Sequence, residues 1–190
     1  MNGYFSASAV FLIETIFGLY MLTVLLRFIL QWVRADFHNP ISQFLVKVTN
    51  PPLKPLRLII PGIGGLDLAA IVLLLALQAI KLMLLATTGG FSLAPAGLIV
   101  MSVGELIALV LNMYLITIII QAIISWVGPG TYNPVTAILH YVNEPVLAPA
   151  RRIMPAISGI DLSPLLVLIV IQLLKFLLVA PILDVGRAMA

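Results

Sequence analysis

The chain has 190 residues, 62% hydrophobic and only 9% charged, with a mean hydropathy of +1.20. A water-soluble domain carries about 25% charged residues, so this composition excludes a body that covers itself for water and implies a membrane protein. The net charge of +3 comes with no cysteine, which excludes disulfides, thiolate metal sites and a cysteine nucleophile together.

The first apolar run covers 7–33, longer than the roughly 20 residues that span a bilayer. It lacks a positive n-region and outruns a signal peptide, so it reads as a mature transmembrane helix. Glu14 and Arg27 interrupt it, and Trp32 stands where an interfacial aromatic belongs. Asn39-Pro40 then starts a short helix over 39–48, with Ile41, Phe44, Leu45 and Val48 at helical spacing and Ser42, Gln43 and Lys47 elsewhere. This is the pattern of an amphipathic helix lying in the headgroup layer. Asn50-Pro51-Pro52 is expected to end it, because a residue before proline avoids helix. Pro55 and Pro61 would keep the next stretch irregular, and Gly62, Gly64 and Gly65 permit a tight turn.

A second span covers 67–86 with Asp67 as N-cap, followed by an uncharged connector. The third span covers 98–127, carries Glu105 and Asn112, and ends at Trp126. A second short helix, 133–142, opens at Asn133-Pro134, and a fourth span covers 162–183. The fold expected is all-α: a polytopic membrane protein with four transmembrane helices in two hairpins, each with a short interfacial helix in its loop.

The two halves, 1–91 and 92–190, are copies. At an offset of 94, Trp32 matches Trp126, Asn39-Pro40 matches Asn133-Pro134, and Pro55, Arg57, Pro61 and Asp67 match Pro149, Arg151, Pro155 and Asp161. Gln78 and Lys81 match Gln172 and Lys175. These polar, proline and tryptophan matches do not follow from hydropathy. Each copy holds two spans, so both start on the same side, and the repeats are parallel about an axis along the membrane normal. The inter-helix loops carry Arg34, Lys47, Lys54, Arg57, Arg151 and Arg152, which places them in the cytoplasm and both termini outside.

Charges inside a span are usually paired, snorkelling or functional. Glu14 lies about 27 Å from Trp32, and Lys81 about 21 Å from Asp67, along their helices. Both thus approach the same outer end, as do Glu105 and Lys175. Two Glu–Lys ion pairs are expected there, with ion or proton handling as the functional alternative. Arg27, about 7 Å inside Trp32, is expected to pair with Asp67 or Asp161. Gln78 and Gln172 would hydrogen-bond across helices. Trp32, Trp126, Arg57, Arg151 and Arg152 are candidates for interfacial contact and anionic headgroups. His38 and His140 have no ligand-spaced companions. No nucleophile elbow, Walker or zincin motif is present. Neither an enzyme nor a cofactor is expected. The partners expected are the bilayer and a membrane protein or a second copy; with no basic stripe and interleaved aromatics, nucleic acid is not.

The doubled pattern of Trp, then Asn-Pro, then a proline-spaced Arg, then Pro-x-x-x-Gly-x-Asp resembles the YggT family of bacterial membrane proteins over nearly the whole chain. The resemblance implies a bacterial inner-membrane protein of the two-module form, related to single-module proteins of cyanobacteria and plastids. It also implies links to osmotic-stress tolerance and ion homeostasis, a neighbourhood of cell-division genes and, in plastid relatives, cytochrome maturation and nucleoid distribution. It implies no catalytic residue.

Overall fold

A computed structural model describes residues 3–90, 92–127, 133–154 and 161–190. All its regular elements are helical. They are α1 (Gly3–Trp32), α2 (Pro40–Ile59), α3 (Leu68–Gly89), α4 (Pro95–Val127), α5 (Pro134–Ile153), and a last span made of α6 (Ser163–Leu174), a π-helical turn (Lys175–Val179) and α7 (Ala180–Ala188). Four of these stretches are long and apolar enough to cross a membrane: α1, α3, α4 and Ser163–Ala188.

Each module repeats one plan. Its first and last spans pack as a hairpin, α1 with α3 and α4 with α6–α7. The amphipathic helix between them rests on both, α2 on α1 and α3, α5 on α4 and α6. The core lies where the modules meet at the α2/α5 end. Met21, Val24, Leu30, Leu53, Ile118, Val142 and Leu147 are all buried there. Large apolar side chains cover the outside, Phe11, Leu19, Ile116, Ile169 and Leu177 among them, as expected where the solvent is lipid.

The amphipathic helices are twice as long as the sequence suggests. α2 runs through Pro51, Pro52 and Pro55, and α5 through Pro145 and Pro149. The expected irregular stretch does not form before Ile60. Proline costs a helix its N–H bond and crowds the carbonyl one turn back. Here Pro51, Pro55, Pro145 and Pro149 sit on the exposed face, where those carbonyls meet a polar medium. Leu53 and Leu147, on the opposite face, are sealed into the core. Burying such a side chain contributes about 1.5–3 kcal/mol, and Leu45 in α2 and Ile138, Leu139 and Val142 in α5 add to it from the same buried faces. Pro40 and Pro134 stand in the first turn, where a missing N–H costs nothing.

α7 and α4 approach closely through glycine. A β-carbon on Gly97 would lie 2.8 Å from the Gly186 carbonyl oxygen and 2.9 Å from the Ala190 backbone. Glycine is therefore required at Gly97.

Candidate functional site

The polar side chains gather at the α2/α5 end of the bundle, in two layers repeated in both modules. The outer layer is an arginine–aspartate clamp. Arg57, in the last turn of α2, donates through Nε to Asp67 Oδ2 at 3.2 Å and through Nη2 to the same oxygen. Nη2 also reaches Gln31 Oε1 at 3.2 Å. Asp67 Oδ1 accepts from the Ala70 N–H at 3.3 Å, capping α3. One carboxylate thus ties the end of α2 to the start of α3. In the second module Arg151 Nε donates to Asp161 Oδ2 at 3.1 Å, and Asp161 Oδ1 accepts from the Ser163 N–H at 2.9 Å. Arg151 Nη1 also contacts both Glu144 oxygens at 3.0 and 2.9 Å.

The clamps differ in burial: the Asp67 side chain is 4% exposed and that of Asp161 41%. Partial burial pushes the Asp161 carboxyl up, but hydrogen bonds from Ser163 and Arg151 outweigh it and hold the carboxyl below its ordinary range. Burial likewise lowers the Arg151 guanidinium, and Glu144 with Asp161 more than restores it, leaving it above its usual value.

The inner layer joins the first span of each module to its amphipathic helix. Arg27 Nη1 donates to Thr49 Oγ1 at 2.7 Å and to the Val46 carbonyl at 3.4 Å, while Thr49 Oγ1 donates to the Leu45 carbonyl at 2.6 Å. In the second module Asn143 Nδ2 donates to Gln121 Oε1 at 2.7 Å, and Thr117 Oγ1 donates to Asn143 Oδ1 at 2.7 Å. Arg27 and Gln121 are repeat counterparts, and so are Thr49 and Asn143. The expected pairing of Arg27 with Asp67 or Asp161 is therefore corrected. Each aspartate is held by the arginine ten residues before it, and Arg27 Nη1 bonds a hydroxyl and a carbonyl instead. Sequence reasoning missed Thr49 and Asn143. The available signal was that both copies place a polar residue on the buried face of the amphipathic helix.

The charges toward the far end do not pair as expected. Among the described residues neither Glu14, Glu105 nor Lys81 has an ion-pair partner. Lys175, at the start of the π-turn, donates to Asn112 Oδ1 at 2.9 Å. Glu14 is exposed on the outer half of α1. Gln78 and Gln172 do not make matching cross-helix bonds either. Gln78 is buried with Nε2 unbonded, whereas Gln172 is exposed on α6.

Where the modules meet, Asn39 Nδ2 donates to the Pro134 carbonyl at 2.8 Å, and Asn39 Oδ1 accepts from the Ile41 N–H to cap α2. Asn133 caps α5 through the Val135 and Thr136 N–H groups. A groove of about 540 Å³ opens beside this junction, lined by Trp32, His140, Tyr141, Glu144 and Pro145. A smaller one, about 360 Å³, borders Gln31, Arg57 and Asp67. Arg152 is exposed. The backbone of Trp126 falls within α4, but its side chain and Pro155 lie outside the described residues. His38 bonds Asp36, whose carboxyl is held below its usual range by the His38 backbone N–H and ring. Among the described residues no cluster of histidine and carboxylate groups could hold a metal ion.

The doubled site has a doubled counterpart in known proteins. The model of the CCB3/YggT family matches twice, over residues 6–88 and 100–182. An uncharacterised protein of Pseudomonas aeruginosa designated PA0392 is 41% identical over 176 residues, 92% of this chain and 89% of its own length. A protein encoded in the proC 3′ region of Vibrio alginolyticus is 43% identical over 171 residues, 88% of this chain and 91% of its own. Protein YggT of Escherichia coli K12 is 38% identical over 169 residues, 87% and 86% of the two chains. No solved structure matches the chain. Two matched modules covering most of the length, with relatives aligned nearly end to end, place the chain in the CCB3/YggT family.

Proposed function

We propose that this membrane protein is a non-enzymatic factor that organises or assembles other components of the bacterial inner membrane, and that it supports growth under osmotic stress through that role. The observation that carries the reading is the joined pair α2–α5. Asn39 bridges the two helices, and an Arg–Asp clamp fixes each to the span that follows. The result is a preorganised surface with Lys47, Lys54 and Arg152 pointing outward. Preorganisation lowers the ordering cost of binding. The positive charge of the loops supports a cytoplasmic side for this surface, with both termini outside. Trp32, Arg57 and Arg151 border it, suited to a partner that is itself seated among anionic headgroups.

Capture from native membranes in mild detergent tests the reading. A membrane protein recovered in stoichiometric yield, and lost in the Lys47→Glu, Lys54→Glu double variant, supports it. Recovery of the chain alone, from strains with and without osmotic stress, counts against it.

One observation favours a second reading, a small transporter affecting ion or osmolyte balance. Lys175 and Asn112 form a polar pair within the spans at a π-turn, and such turns concentrate at functional sites. Solute flux in liposomes, abolished by Lys175→Met, would establish it; flux no greater than in empty liposomes would eliminate it.

A further inference from the structure

The larger groove is built from both modules. Trp32, the last residue of α1, and Val33 form one wall, and α5 forms the other with Tyr141, Glu144 and Ala148. Its volume of about 540 Å³ is that of a small-molecule site. Trp32 ends a spanning helix and is exposed, which sets the groove at the level of the lipid headgroups. Glu144 is the one carboxylate among the described residues that line it. Arg151 Nη1 takes a bond at each Glu144 oxygen. His140 Nδ1, at 3.7 Å, is outside hydrogen-bond reach. A carboxylate offers about four acceptor sites, so Glu144 can still accept from a further donor. Among the described residues Arg151 engages only Nε and Nη1, which leaves Nη2 to donate. The groove thus presents an unsaturated carboxylate and an exposed indole, with a guanidinium edge beside them. At the corresponding positions of α2, Tyr141, Glu144 and Ala148 are replaced by Lys47, Asn50 and Lys54.

We infer that this groove holds the headgroup of a phospholipid carrying a primary ammonium, as in phosphatidylethanolamine. The ammonium sits against Trp32, whose indole attracts cations, and donates to Glu144, a charged acceptor and therefore a strong one. A phosphate oxygen accepts from Arg151 Nη2. Val33, Pro145 and Ala148 give the glycerol region apolar contact. A choline headgroup has no N–H to donate, and a glycerol headgroup has no ammonium. On α2 the two lysines repel the same ammonium, so one such lipid is expected per chain. The site is independent of the protein partner proposed for the Lys47 and Lys54 side.

Native mass spectrometry of the detergent-purified chain reads the site. The chain is exchanged against equimolar phosphatidylethanolamine, phosphatidylcholine and phosphatidylglycerol of one chain length. One phosphatidylethanolamine per chain should be retained, about tenfold or more over the other two, the scale of a hydrogen bond to a charged group. Glu144→Gln should abolish the preference and Trp32→Ala should weaken it, whereas Lys54→Gln on α2 should leave it unchanged. Trp32→Ala trims an exposed ring and decides the matter if Glu144→Gln does not fold. Equal retention of the three lipids, or a preference for phosphatidylglycerol, overturns the inference. So does a preference unchanged in folded Glu144→Gln or in Trp32→Ala, or one lost in Lys54→Gln. Displacement of the lipid by equimolar glycerophosphoethanolamine would mark a site for a free solute and would also overturn it.

Discussion

Thr49 and Asn143 occupy the same position in the two modules, fully buried on the inner face of α2 and α5, and each bonds to the residue at the matching position of the preceding span. The chemistry has changed from guanidinium–hydroxyl to carboxamide–carboxamide, but the tie between span and amphipathic helix is kept. Asn143→Ala should destabilise the protein by roughly 1–3 kcal/mol, since Thr117 and Gln121 lose a buried partner. Thr49→Val should cost as much or more, because the group stranded is charged. Equilibrium unfolding by steric trapping in bicelles reads both, and a change below a few tenths of a kcal/mol at either site would show that the layer is not a structural tie.

The clamps should respond unequally. Asp67→Asn keeps an oxygen to cap α3 but breaks an ion pair whose carboxylate is buried, and the loss should approach about 3–5 kcal/mol, as is usual for a buried pair. Asp161→Asn removes a contact open to solvent, where about 1 kcal/mol or less is expected. Thermal melts in detergent should rank the two variants in that order.

Asp161 also sets a direction for pH. Its folded carboxyl is held below the ordinary aspartate value of about 3.9. The contribution is therefore fully present above that value and fades as pH falls through the lower folded value. Arg151, raised in the fold, keeps its charge throughout the working range. Between pH 6 and pH 3 the native chain should lose more stability than Asp161→Asn does; parallel melting curves would remove Asp161 from the acid response.

The prolines inside α2 and α5 give an independent check on helix continuity. Pro51→Ala and Pro149→Ala restore a helical N–H on the exposed face. Each should stabilise the protein, by at most the ~3 kcal/mol that separates proline from alanine in a helix interior. Had the chain been irregular at these points, the same changes would be neutral or destabilising.

Much of the architecture was legible in the sequence. Apolar runs reported four spans, and the Asn-Pro, Arg and Asp matches at one offset reported the duplication. The extent of α2 and α5 was not legible, because proline's local penalty is written in the sequence while the burial of Leu53 and Leu147 is a property of the assembled core. The partner of Arg27 was hidden for a related reason. A carboxylate is the obvious mate for an arginine, but Asp67 had a nearer claimant in Arg57, and a threonine hydroxyl carries no charge to advertise it. Glu14 and Lys81 agree in depth along their helices, yet equal depth does not by itself bring two side chains within reach, and no ion pair forms between them.

A protein partner seated on the joined α2–α5 surface would lie against the exposed side of α2. A photo-crosslinking amino acid placed at Lys54, on the exposed side of α2, and separately at Ile116, on the exposed side of α4, tests it in living cells. One protein adduct is expected from position 54, identified by mass spectrometry and absent from position 116. Lipid adducts alone at position 54, or the same protein adduct from both positions, would contradict it.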